Sequence, residues 1–317
     1  MKKIIFLSSI FISTLTFAQK EGNLMVPKWE AGDSYEYKGI KSETFANLKT
    51  GESIRSNIPF KVSFSIIEDT ESAILFRINA PNFEWFNIIE IISKYNLSAT
   101  KDIKQIDLIC SYDKKTGVSK LLNQSEVIEI FNMLKSSYPK WVGNNSNAMG
   151  RINKEIERVT PAFSTEEAVI KTFKNQIEWF TSSFNKKQVL DQDVKSKSVI
   201  SFTDFGNIPV KTNSKITQIN KEETSFTQEN IHSVDGEQVK NAFIINYKNK
   251  DVLKSADMER IKQAKSHSFS SDLTEKVIYN YKTTVPVSIE KNYEIVEKSN
   301  DIVITERLST FNLSIKK

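Results

Sequence analysis

The chain has 317 residues, 39% hydrophobic and 26% charged, with one cysteine and a formal net charge of +5. These proportions exclude a collagen, a disulfide-stapled miniprotein and a disordered polar tail. The weak basic excess is scattered, with only six arginines, so no nucleic-acid partner is expected.

Met1-Lys2-Lys3 is followed by an apolar run from Ile4 to Phe17, broken only by Ser and Thr, and then Ala18-Gln19. A short basic lead, an apolar run too short to span a bilayer and a small-residue site are the marks of a signal peptide over 1–18, cleaved at Ala18/Gln19. No cysteine follows it, so a lipid anchor is not expected. The expected product is soluble, not membrane-spanning, and located in the periplasm or secreted. It runs from Gln19 to Lys317 with a net charge of +3.

Gly32-Asp33 is a turn before a strand with Tyr35 and Tyr37 on one face. Phe60, Val62, Phe64 and Ile66 alternate with Lys61, Ser63 and Ser65, and after a polar turn Ile74, Phe76 and Ile78 alternate again. That pattern predicts an antiparallel hairpin with one wet side. Trp85 to Tyr95 reads as a helix, and 106–112 as a strand that buries Cys110. The turn at 114–117 leads into a short strand over 118–122.

Asn123 reads as the cap of a helix bearing Val127, Phe131, Leu134 and Tyr138, closed by Pro139. Residues 141–149 read as loop, and 152–159 as a weaker helical pattern. Ser164 and Glu167 form a capping-box pattern ahead of an apolar seam: Ile170, Phe173, Ile177, Phe180 and Phe184. The chain then turns β-rich, with short strands at 200–205, 208–210, 216–219 and 226–231. Residues 239–247 fit either state, and 251–265 look helical. Three alternating strands close the chain from Val277 onward, with Asn300-Asp301 as a hairpin tip.

Candidate chemistry is sparse. His232 and His267 lack the neighbours of a zinc or nucleophile motif and read as ordinary surface or edge residues. No Gly-x-Ser-x-Gly, Walker-type or GxGxxG sequence is present, and the Ser-x-x-Lys spacings at Ser111/Lys114 and Ser183/Lys186 lack their companion motifs. Glu166/Glu167 suit helix capping; Asp191/Asp193 and Asp102/Asp107 are the other carboxylate pairs. No catalytic, metal or cofactor residue is therefore assigned. Twenty phenylalanines remain to be explained. Face periodicity places Phe60, Phe64, Phe76, Phe173, Ile177 and Phe180 either in a packed core or around a cavity for an apolar ligand.

The leader ending Phe17-Ala18-Gln19, the Trp29-Glu30-Ala31-Gly32-Asp33 opening and the Tyr-rich terminal strands resemble uncharacterised exported proteins of Bacteroidota. The strand–turn–strand–helix unit at 106–138 resembles the lipoprotein-carrier superfamily, which implies a curved sheet with helices plugging its concave side and the transfer of lipids or acylated proteins. The fold expectation is α+β: a curved, half-barrel-like antiparallel sheet with three or four amphipathic helices on its apolar face. Residues 19–317 form either one compact unit or two similar packed halves, about 28–187 and 188–317. The expected function is non-enzymatic binding of a hydrophobic, lipid-like small molecule or a cell-envelope protein. The alternatives are a structural or interaction protein without a ligand pocket, or a hydrolase acting on envelope or carbohydrate substrates.

Overall fold

The computed structural model describes residues 23–96, 99, 104–184, 187–188, 190–202, 205–222, 224–248 and 255–316. The leader and its Ala18/Gln19 junction lie outside the described residues, as do Asp102 and Lys186.

The elements in chain order are β1 (Asn23–Leu24), β2 (Ser34–Asn47), β3 (Glu52–Asp69), β4 (Ala73–Pro81), α1 (Phe86–Ser93), β5 (Gln105–Asp113), β6 (Ser119–Leu121), α2 (Gln124–Val142), α3 (Ser146–Val159), α4 (Glu166–Thr181), β7 (Lys187–Gln188), β8 (Val194–Phe202), β9 (Gly206–Asn220), β10 (Ser225–Ser233), α5 (Gly236–Lys248), α6 (Ser255–Ser266), β11 (Ser268–Asn280), β12 (Pro286–Ser299) and β13 (Ile302–Ile315). Eleven strands form one open, curved antiparallel sheet in the order β6-β5-β4-β3-β2-β13-β12-β11-β10-β9-β8. The chain enters mid-sheet at β2 and winds outward to β6. It restarts at the far edge with β8 and winds inward until β13 pairs with β2. The α+β class and the curved sheet are as the sequence predicts, with six α-helices among the described residues.

The wet-sided hairpin is β3 and β4: Val62 and Phe64 are fully buried while Lys61 faces water. Helices cover the other face in two groups. The first comprises α1 to α4, over a core that includes Phe64, Phe76, Trp85, Phe131, Phe163 and Phe180. The second comprises α5 and α6, over a smaller core around Phe205, Val239, Phe243, Leu273 and Ile295. Trp29, ahead of β2, plugs the first core, with its ring centre 4.9 Å from Phe64 and 5.1 Å from Phe184.

Several local readings need correction. Asn123 precedes α2, but its side chain does not cap the helix. Instead it accepts from Ile109 N and donates to Asp107 O, stitching α2 to β5. Pro139 lies inside α2, which is closed by Gly143, where the residue without a Cβ takes a positive φ of +64°. Residues 146–149 belong to α3, capped by Asn145 through Ala148 N. Thr165, not Ser164, caps α4, accepting from Ala168 N at 3.2 Å. The buried stripe keeps Phe173, Ile177, Phe180 and Phe184 but begins at Val169, whereas Ile170 is exposed. The strands read at 208–210 and 216–219 are one strand, β9.

Candidate functional site

Strand register resolves the inner face into rows that cross the sheet. One apolar row belongs to the first core: Val277, Ile289, Leu313, Gly39 and Phe60 face one another in succession. Two residues along, the next row reads Ser214, Asn230, Glu275, Lys291, Phe311, Lys41 and Ile58. The row after it reads Thr212, His232, Leu273, Tyr293, Ser309, Glu43 and Ser56. A fourth row, Ser271, Ile295, Arg307, Phe45 and Ile54, brings in the second core through Ile295. Two largely polar rows therefore form a seam between the two apolar cores.

At β10 to β12 the seam is buried. Lys291 Nζ lies 2.8 Å from Glu275 Oε1, and their side chains are 21% and 11% exposed. Asn230 donates to Glu275 Oε2 at 3.2 Å, and Ser214 and Gln228 donate to the Asn230 carbonyl. His232 Nδ1 is 2.9 Å from Thr212 Oγ1, which is 2.6 Å from Ser198 Oγ. His232 Nε2 sits 3.7 Å from Glu275, too far for a hydrogen bond but within ion-pair range when the ring is charged. Burial disfavours the Glu275 carboxylate, but Lys291 and His232 outweigh it and hold that carboxyl well below the ordinary range. Burial likewise disfavours the Lys291 ammonium, and Glu275 holds its pKa above the ordinary value. Burial pushes the Tyr293 phenol up to about 12.

At β13, β2 and β3 the same seam opens. Glu43 and Lys41, paired at 2.9 Å, are 46% and 29% exposed, and Ser56 faces water. One bank of the opening is aromatic. Phe60 lies 5.2 Å from Phe83 and 5.5 Å from Phe311, and Trp179 of α4 lies 4.8 Å from Phe311. Phe60 and Phe83 remain half-buried. Gly39 makes this bank possible, because a Cβ there would stand 2.2 Å from the Phe60 ring. Lys41 Nζ stands 5.2 Å from the centre of the Phe83 ring. On the other bank Arg307 stacks on Phe45 at 4.6 Å, with Ile54 beside them.

The six residues read as core or cavity wall converge on the first core. Phe64, Phe76, Phe173, Ile177 and Phe180 are buried there, with Phe64 stacked on Phe180 at 4.3 Å. These rings fill space against one another rather than lining a hollow, and only Phe60 reaches the seam's open end. An open polar hollow of about 290 Å³ lies between α1 and α3, lined by Asn87, Glu90, Ile91, Arg151, Lys154 and Glu155.

The histidines are not the surface or edge residues that the sequence suggests. His232 is 8% exposed on an interior strand. His267 Nδ1 bonds Glu297 at 2.7 Å, and Glu297 is 2% exposed. Arg260 grips Glu297 with both terminal nitrogens, and Thr305 donates to it at 2.8 Å. The two rings are kept apart, since His267 precedes β11 and His232 faces Leu273, roughly 20 Å further along that strand. Among the described residues no three metal-ligating side chains converge, and no helix is long and apolar enough to cross a membrane. Asp191 and Asp193 are exposed, and Asp107 accepts from Asn79.

No protein-family model and no curated protein sequence matches the chain. Among solved structures it is similar to lipovitellin, from a study of lipid–protein interactions, at 7% identity and a TM-score of 0.40; the match covers 92% of this chain and 26% of that one. The chain thus spans about a quarter of lipovitellin. It also matches an outer membrane channel from Pseudomonas putida F1 (6% identity, TM-score 0.18, 92% and 97% covered) and an acyl-CoA thioesterase II from Mycobacterium marinum (7%, 0.11, 90% and 82%). These scores are too low to establish a shared fold, and the site is read from its own geometry.

Proposed function

We propose that this is an exported, non-enzymatic binding protein that holds an apolar, lipid-like ligand at the open end of the seam. The observation that carries the reading is the aromatic bank of half-buried Phe60 and Phe83, backed by buried Trp179 and Phe311 and set directly beside a charged floor. A bank of that kind suits the chain of an amphiphile, with Lys41, Glu43 and Arg307 near its polar end. A curved sheet with helices across its inner face is also the architecture that resemblance to the lipoprotein carriers implies. Removal of residues 1–18 and release into the periplasm or medium belong to the same proposal.

Native mass spectrometry of protein purified from its own envelope fraction, followed by solvent extraction, tests it. A stoichiometric lipid adduct that disappears in Phe60→Ala is expected. A bare mass for freshly purified protein, together with no uptake of added fatty acid or phospholipid, would overturn it.

A further inference from the structure

The turns of the β2–β3 and β12–β13 hairpins lie side by side, joined by Leu48 N donating to Ile304 O at 2.9 Å. Around them Ile302 is 72% exposed, Ile54 67% and Leu48 55%; the first two are the most exposed large apolar side chains among the described residues. Residues 52–57 of β3 are exposed on both faces, so the hairpin projects beyond the cores. Both turns have defined turn geometry. Asn47 Oδ1 accepts from Lys49 N and Thr50 N, and Gly51 closes the turn at φ +73°. Asn300 and Asp301 both have positive φ, as a tight hairpin turn requires. The charged residues on and next to the two turns are Lys49, Arg55 and Lys298, against Glu52 and Asp301.

We propose that this paired tip docks shallowly into a lipid membrane surface. Projecting apolar knobs among charged side chains with a small basic excess match a bilayer interface, where the knobs enter the acyl boundary and the cations meet anionic headgroups. A stable protein partner would cover roughly 800 Å² on each side, far more than the apolar area of three side chains. The inference does not depend on the seam holding a ligand. It does place the membrane beside the seam's mouth, because Phe45 and Ile54 of the same hairpin form one of its banks.

The test is co-sedimentation with vesicles of equimolar phosphatidylcholine and phosphatidylglycerol, against phosphatidylcholine alone. The wild type should sediment with the mixed vesicles and less with the neutral ones. The triple variant Leu48→Ser, Ile54→Ser, Ile302→Ser should partition about tenfold more weakly, with circular dichroism and melting unchanged. In parallel, Leu48→Cys labelled with an environment-sensitive fluorophore should shift blue on adding vesicles. Ile245→Cys, at a residue 56% exposed on α5, should not. No sedimentation of the wild type, equal sedimentation of the triple variant, or equal shifts at 48 and 245 would each overturn the proposal. So would self-association abolished in the triple variant without vesicle binding, which would make the tip a contact between copies.

Discussion

The Glu297 clamp yields the sharpest quantitative prediction. Its carboxylate is 2% exposed and accepts from Arg260, His267 and Thr305, tying α6, the start of β11 and β13 to β12. Glu297→Gln keeps the shape but removes the charge and turns one acceptor into a donor facing donors. Severing a fully buried pair costs about 3–5 kcal/mol. Arg260, however, is 22% exposed and stacks 5.1 Å from the Phe243 ring, so it rehydrates in part and keeps that contact. The lower end, about 3 kcal/mol at neutral pH, is therefore expected from urea denaturation. Burial alone would raise the Glu297 pKa, but the bonds from Arg260 and His267 outweigh it, and the folded pKa is depressed. A depressed carboxyl pKa gives stability that is present above the unfolded value and lost as pH falls through the folded one. The gap between wild type and Glu297→Gln should thus be full at pH 7 and shrink in acid, below the ordinary carboxylate range. Amide exchange in α6 should accelerate more than in α2. A loss below about 1 kcal/mol at pH 7, or a gap that widens in acid, would refute the clamp.

Lys291→Met leaves the Glu275 carboxylate buried with only Asn230 and His232 near it, and should cost about 3 kcal/mol at neutral pH. The penalty should shrink in acid, where a protonated Glu275 tolerates burial; denaturation at two pH values checks this. In the wild type the raised Lys291 pKa gives stability that is present below the ordinary lysine value and lost as pH climbs through the folded one. Gly236→Ala puts a Cβ 2.1 Å from the Phe269 carbonyl oxygen, a backbone atom that cannot swing aside. A loss of about 3 kcal/mol is expected by thermal or urea unfolding, near the upper end for overpacking. The Cys110 thiol is fully buried, with its pKa pushed up to about 12. It should resist a thiol reagent at pH 8 in the folded protein and react fully in urea; rapid labelling of the folded form would contradict the β4–β5 packing.

Where the sheet has one wet face, alternation alone located its strands. Phe64 and Ile66 pair with Ile78 and Phe76 as β3 and β4 because the inward residues are apolar and the outward ones mostly polar, although a bulge after Ile66 sets Asp69 opposite Ile74. Side chains with two possible uses defeated local reading. Asn123 stands where a cap belongs, yet bonds across to β5, and no one-dimensional pattern reports that partner. The seam was missed although a signal existed. Lys291 and Glu297 share parity with buried Ile289 and Ile295, and Glu275 with buried Val277. A charge at inward parity on a strand is costly unless paired, so each of the three demands a partner. Which strand supplies it depends on register between segments far apart in sequence, and that emerges only when the sheet is assembled.

The same rows explain why the two helical layers keep separate cores. Had Glu275, Lys291, Thr212 and His232 been aliphatic, the cores would join across the sheet. Parting the layers would then expose all four, at about 1.5–3 kcal/mol each. With polar residues there, water entering the seam finds hydrogen-bonding partners, and the exposure cost falls on the aromatic bank alone. Phe60 and Phe83 already meet solvent in part, so the path of least resistance into the inner face runs from the β2–β3 side. It leads toward the Glu275–Lys291 pair, whose side chains are only 11% and 21% exposed. The seam is thus graded, with an open mouth near the projecting hairpin and a more deeply buried, charged end under β10 to β12. On the proposed function, a ligand that carries its own apolar surface would pack against the rings of the bank where water cannot, and that difference would favour an amphiphile over simple hydration.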